Sequence, residues 1–265
     1  MKFTSSCVVS ASVGLTLAFG ISAQAQAPAP VAGAAAVPVL EKSPWENSAS
    51  LGLTLNKGNT DTLLITANIL SVRKDPKKPQ HELSLGADGT YGENNGDRNA
   101  DSAHGFAQYN YLFTEKFYGY ARVDGLHDQI AGIVYRVSFS PGVGYYFIKD
   151  KETTFSGEFG PGVITEKLDG KNGDPDTTDT YMTLRFAERF EHKFSDTVKL
   201  WQSCEYLPQV DRWGNFLINA ELGIETALSK KMALRTYIVD NYDNEPTPGR
   251  KNNDIKLVAA IAYKF

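Results

Sequence analysis

Four histidines, two cysteines and a scatter of acids and bases are the residues of this 265-residue chain that could do chemistry. Metal binding needs ligands at set spacings, and His81, His104, His127 and His192 offer none: no pair is spaced for a metal and no H-E-x-x-H occurs. Each lies near the end of an alternating segment, where a polar ring is easily hydrated, so a structural role is expected and no metal or other cofactor. Acyl transfer needs a nucleophile beside a base. His127 has one parity in its segment, whereas Ser138 and Ser140 have the opposite parity in the next and sit further along it, so the contact is not expected to form. The segment D-G-K-N-G-D-P-D-T-T-D gathers Asp169, Asp174, Asp176 and Asp179, but not at the spacing of a calcium loop. It reads as a solvated loop, with weak divalent-cation bridging as the alternative. The chain is expected not to be an enzyme, with no catalytic residues.

The elements that must position such residues are strands. After residue 27 there is no apolar run near eighteen residues, so no membrane-spanning helix is expected, which leaves strands that cross as half-polar segments. Turn signals divide the chain into twelve alternating segments at 46–56, 61–73, 80–92, 101–113, 117–129, 134–148, 152–166, 178–194, 197–207, 214–228, 232–243 and 254–265. Most are about twice the five or six residues usual in soluble domains and match a membrane-crossing strand. Connections alternate. T-E-K, K-D-K, S-D-T and S-K-K are short. E-N-N-G-D-R-N-A, the Asp-rich segment, Q-V-D-R-W-G and N-E-P-T-P-G-R-K-N-N are long and polar. That asymmetry describes an outer-membrane barrel. K-G-N-T, short on the long-loop side, and K-D-P-K-K-P-Q, long on the short-turn side, fit it less well.

Period-two alternation assigns the faces. Phe216, Ile218, Ala220, Leu222 and Ile224 oppose Asn219, Glu221, Gly223 and Glu225; Met182, Leu184, Phe186 and Phe190 oppose Arg185, Arg189 and Glu191. Glu188 lands on the apolar face, which marks a bulge or a depth outside the hydrocarbon. Aromatics near strand ends, among them Tyr109, Phe113, Phe117, Tyr145, Phe194, Tyr263 and Phe265, read as an interfacial girdle. The polar faces carry Asp88, Arg122, Asp124, Arg136, Glu158, Arg185, Arg189, Glu191, Lys199, Glu205, Asn219, Glu221, Glu225 and Arg235, which are candidates to line a lumen. Both signs are mixed, so selection of one ion sign is not evident. Counting back from the turns sets Arg189 near Glu205 and Lys199 opposite Glu225. Inward glycines, among them Gly86, Gly142, Gly144, Gly160 and Gly162, leave space for a cavity. A soluble sandwich or small periplasmic barrel that binds a small ligand would show the same alternation with the apolar face inside.

The N-terminus reads as export machinery: one early lysine, an apolar core and A-Q-A-Q-A give a signal peptide over residues 1–25. Residues 26–44 form an Ala/Pro-rich leader, and residues 45–265 the barrel. Cys7 is not in a lipid-attachment context, so Cys204 is the only mature cysteine and no disulfide framework exists. The net charge is −4, the pI about 5.6, and no basic stripe points to nucleic acid. K-L-V-A-A-I-A-Y-K-F, Lys256 to Phe265, alternates to its last residue, so this strand is expected to close the barrel against Leu51, Leu53 and Leu55.

The stretch W-E-N-S-A-S-L-G-L-T-L-N-K-G-N-T-D-T, Trp45 to Thr62, resembles the opening of the YdiY-like family, described as salt-induced outer membrane proteins. The matching residues are Trp45, Gly52, Leu53, Asn56, Gly58, Asn59, Thr60 and Thr62. The family is a domain of unknown function, so the resemblance implies a barrel and a location in the outer membrane of a Gram-negative bacterium, with no catalytic residues to carry over. The final Tyr263 and Phe265 also resemble the signal read by the barrel-assembly machinery. The expectation is an all-β, closed, antiparallel transmembrane barrel of about twelve strands, in contact with outer-membrane lipids and lipopolysaccharide. Its expected role is that of a narrow passive pore or an envelope-structural barrel linked to osmotic or salt stress. An outer-membrane lipid-modifying enzyme is the alternative.

Overall fold

The computed structural model describes residues 43–56, 62–170, 175–246 and 250–265. The expected signal peptide, nearly all of the leader and the K-G-N-T turn lie outside them. Twelve strands form: β1 Trp45–Asn56, β2 Thr62–Lys74, β3 His81–Asn94, β4 Asp97–Leu112, β5 Phe117–Asp128, β6 Ile133–Lys149, β7 Thr153–Leu168, β8 Thr177–Lys193, β9 Val198–Pro208, β10 Phe216–Ala227, β11 Met232–Asp243 and β12 Asn253–Lys264. Each pairs antiparallel with its sequence neighbour, and β1 pairs with β12, so the sheet closes into a barrel with no free edge. At the seam the register runs from Ser48↔Lys264 to Leu51↔Ile261, and Phe265 N–H donates to Asn47 O at 3.1 Å. No helix among the described residues is long and apolar enough to cross a membrane.

One expected long loop is not a loop. In E-N-N-G-D-R-N-A the chain reverses at Asn95 and Gly96, with φ of 52° and 86°, and β4 begins at Asp97 rather than near residue 101. Two consecutive positive-φ residues make the mirror-image turn that matches strand twist, and Asn-Gly tolerates it best. The polar residues on either side therefore extend a hairpin instead of forming a loop.

The outward face is apolar around the barrel. Leu53, Ile255 and Leu257 are 65%, 67% and 66% exposed, and Val137, Phe139, Phe159, Met182, Leu222 and Ile238 join them. Water does not cover a belt of this extent; hydrocarbon does. At the short-turn rim, rings touch in two runs. One passes His81, Tyr111, Phe113 and Phe117; the other Tyr145, Phe147, Phe155, Phe190, His192 and Phe194. Glu188 corrects the reading made of it. The β7–β8 and β8–β9 registers run through it unbroken, so no bulge is there, and it sits between Phe186 and Phe190 inside the apolar band.

The β6–β7 ladder steps from Phe139↔Val163 to Val143↔Phe159 and skips the segments that hold Pro141 and Pro161, residues without an N–H to donate. Here the backbones come close. A Cβ added at Gly160 would press on the Pro141 carbonyl and on Gly142 Cα, whereas one at Gly125 would meet nothing within 4 Å. Gly160→Ala is expected to destabilise the barrel by about 1–3 kcal/mol, as overpacking against unyielding atoms does. Gly125→Ala should be near neutral. Urea unfolding of the two variants in lipid vesicles checks the contrast.

Candidate functional site: the barrel lumen

Inward parity gathers the polar residues, and their side chains meet in a continuous chain. Asp88 Oδ1 lies 2.9 Å from His104 Nδ1, and His104 Nε2 is 3.4 Å from Asp124. Arg122 grips Asp124 through Nε and Nη2 at 2.8 and 2.5 Å, and donates to Gln108 Oε1 at 3.2 Å. Gln108 Nε2 in turn donates to Glu158 at 2.7 Å. Glu158 also accepts from Tyr118 OH at 2.9 Å and from Arg185 Nη1 at 2.7 Å. Arg185 Nε bonds Glu205, which accepts from Asn219 at 3.0 Å. The chain thus runs through β3, β4, β5, β7, β8, β9 and β10 as a polar belt inside the wall. Arg185, at its centre, is 5% exposed and its guanidinium lies 5.1 Å from the Tyr120 ring. Two carboxylates and one guanidinium at this burial hold one another: each alone would be costly to desolvate.

Three smaller groups flank the belt. Toward the loop rim, Arg136 bonds Glu166 at 2.5 Å and Asp243 at 3.1 Å, and Tyr181 OH donates to Glu166 at 3.2 Å. Arg136 is on β6 and Asp243 on β11, so walls nearly opposite each other in the barrel meet there. Ile164, Leu207 and Leu217 pack as an apolar cluster beside Tyr181. Toward the short-turn rim, Tyr146 OH of β6 donates to Glu82 of β3 at 2.8 Å. Glu225 accepts from Arg235 at 2.7 Å and from Lys264 at 2.6 Å, and Arg235 reaches Ser48 at 3.3 Å, which ties β10, β11, β12 and β1 together across the short seam.

All thirteen charged lumen candidates have inward parity: Asp88, Arg122, Asp124, Arg136, Glu158, Arg185, Arg189, Glu191, Lys199, Glu205, Glu221, Glu225 and Arg235. Their partners differ in part from the expected ones. Arg189 stands opposite Ser203 and bonds Glu191 at 2.7 Å; it is Arg185 that takes Glu205. Lys199 is directly opposite Glu225 in register, but its ammonium lies 3.8 Å from Glu191. His104 is not at a strand end: it sits within β4, between two carboxylates. The inward glycines do not leave a void. Gly144 lies opposite Tyr118, Gly142 opposite Tyr120, Gly223 opposite Trp201 and Gly86 opposite Phe106, and in each pair the ring occupies the space of the missing side chain. Sequence reasoning missed these rings, along with Gln108, Glu82 and Glu166. The signal was present as an inward aromatic reflected through a loop-rim connection onto an inward glycine of the neighbouring strand.

In the Asp-rich connection, Asp174 lies outside the described residues. Asp176 pairs with Lys167 at 2.8 Å; that hydrogen bond, then the Gly170 N–H, holds its carboxyl below the usual carboxylate range. No group of acids, histidines and cysteines among the described residues could hold a metal ion. His127 Nδ1 is 2.8 Å from the Val134 carbonyl, and Ser138 and Ser140 face inward, away from it.

An apolar belt outside, a charged and hydrogen-bonded lumen inside and a closed twelve-strand sheet define a transmembrane β-barrel with a porin-like fold. The chain belongs to the family described as "Protein of unknown function, DUF481", which matches residues 49–265. Among solved structures it is similar to the NanC porin, at 5% identity with a TM-score of 0.51, over 83% of this chain and 100% of that one. It is also similar to the translocator domain of the autotransporter NalP from Neisseria meningitidis, at 11% identity and TM-score 0.48, over 86% and 90%. The COG4313 outer membrane channel from Pseudomonas putida F1 matches at 9% and 0.47, over 83% and 95%. At such identities the likeness is one of fold. No curated protein sequence matches.

Proposed function

We propose that this protein is a narrow passive pore of the outer membrane, of the YdiY-like type, whose constriction is the polar belt centred on Arg185. The observation that carries the reading is the unbroken hydrogen-bonded chain from Asp88 to Asn219 on the inner wall. Rings of charged side chains are how barrels select and limit solutes. Here the charges are mutually paired, so the pore passes small ions with weak selectivity. Export by residues 1–25, recognition of Tyr263 and Phe265 by the assembly machinery, contact with lipopolysaccharide and a role in salt stress belong to the same proposal. So does the lack of enzymatic activity. The apolar belt and the aromatic short-turn rim support the membrane setting.

Planar-bilayer recording of the refolded protein tests it. Small discrete steps are expected. Arg189→Gln should shift preference toward cations, and Glu221→Gln toward anions, because each removes a lumen charge of one sign. A barrel that is folded by gel mobility yet silent would overturn the pore. It would leave the envelope-structural reading, which the cross-lumen bonds from Arg136 to Asp243 and from Tyr146 to Glu82 favour.

A further inference from the structure

Glu188 is an ionisable group where the barrel should be greasiest. It lies six residues before Phe194 of the short-turn rim. That is about 20 Å of strand, or roughly 15 Å along the barrel axis at the usual tilt, in an apolar band about 25 Å tall. Its outward parity is shared with Met182, Leu184, Phe186 and Phe190. Gln202, outward on β9, donates to its carboxylate at 2.6 Å. A polar pair this deep on the lipid face is costly unless something else covers it, and such residues mark interaction sites.

Its surroundings are shaped for close approach. Gly157, Glu188, Cys204 and Ala220 stand side by side across β7, β8, β9 and β10, so three of the four outward residues in this row are small. Aromatic rings wall the row: Phe155 and Phe190 on the short-turn side, Phe159, Phe186 and Tyr206 on the other. Small residues let membrane-embedded surfaces come together, and amide or carboxyl side chains then bond across the contact.

We propose that this row is the contact face of a homodimer, with Glu188 and Gln202 of one barrel bonded to the same pair of a second copy. The pair is self-complementary. After the Gln202-to-Glu188 bond, each barrel still offers one carboxylate oxygen and one amide N–H. A two-fold axis through the row brings donor to acceptor twice, as an isologous contact requires. A lipid acyl chain offers neither group. The inference rests on the membrane setting but not on an open lumen, so a silent pore leaves it standing.

Cys204, directly opposite Glu188, supplies the test with the native chain. Treatment of the reconstituted protein in vesicles with a short bis-maleimide should trap a dimer. Subunit counting by photobleaching in the same vesicles should give two copies. Both signals should disappear in Glu188→Leu and in Gln202→Leu, each verified as folded by heat-modifiable gel mobility; two variants are used in case one fails to fold. Crosslinking should persist in neither Cys204→Ser nor Cys204→Ser with Ala67→Cys, which moves the thiol to the outward face of β2. Single copies by photobleaching, equal crosslinking from position 67, or dimers undiminished by both leucine variants would overturn the proposal. Trapping of a different protein in native membranes, with no dimer, would do the same and would place another partner on the row.

Discussion

Replacement of Arg185 by alanine should lower the unfolding free energy of the barrel by about 3–5 kcal/mol, the range seen when one partner is removed from a buried ionic group. The guanidinium holds Glu158 and Glu205 from two strands, and it is nearly inaccessible to water. Without it two carboxylates face each other across a desolvated gap, which is worse than the loss of the attraction itself. The expected signature is therefore asymmetric. A triple replacement, Arg185→Met with Glu158→Leu and Glu205→Leu, should recover part of the loss: the apolar trio leaves no orphaned charge, although Gln108, Tyr118 and Asn219 each lose an acceptor. Urea unfolding in vesicles, followed by gel mobility, measures both. A triple variant no more stable than Arg185→Ala would show that the belt stabilises by attraction and not by mutual cancellation.

Tyr118→Ala should cost a similar amount, about 3–5 kcal/mol, by a different route. The ring is 1% exposed, fills the space above Gly144 and packs 5.0 Å from Tyr146, centroid to centroid. Its loss leaves a cavity that neighbouring strands, fixed by their ladders, cannot close. Tyr118→Phe isolates the hydroxyl that donates to Glu158, and should cost only about 1.5–3 kcal/mol, the range for a hydrogen bond to a charged group. The difference between the two substitutions assigns the remainder to the ring. If Phe costs as much as Ala, the packing argument fails and the hydroxyl alone matters.

The wall of this barrel was legible in the chain and its interior only in part. Strands announce themselves through period-two alternation that holds over a dozen residues, as in β12 and β10, and turns such as K-D-K and S-K-K fix where the alternation restarts. Which residues face inward follows from parity. Which inward residues touch does not, because it depends on register, and register depends on how each turn closes. The S-D-T turn shows this. Phe194 N–H bonds Val198 O, which sets Arg189 against Ser203; a count two residues longer set it against Glu205. Contacts across the lumen, such as Gln108 to Glu158, depend further on closure of the whole sheet, which no local pattern encodes. Glu188 was visible as an exception to its pattern, but only the unbroken registers on both sides showed that the exception lies within the apolar band.

The three tryptophans stand in three different surroundings, which makes the protein its own optical probe. Trp45 is at the short-turn rim on the outward face, opposite Arg73. Trp213 projects from the β9–β10 connection, 56% exposed. Trp201 lies over Gly223 inside the lumen, its indole N–H bonded to Glu221. A brominated lipid should dim Trp45, dissolved iodide should dim Trp213, and Trp201 should resist both. Light that survives the two quenchers together therefore comes from the lumen, and its colour reports whether water has entered there.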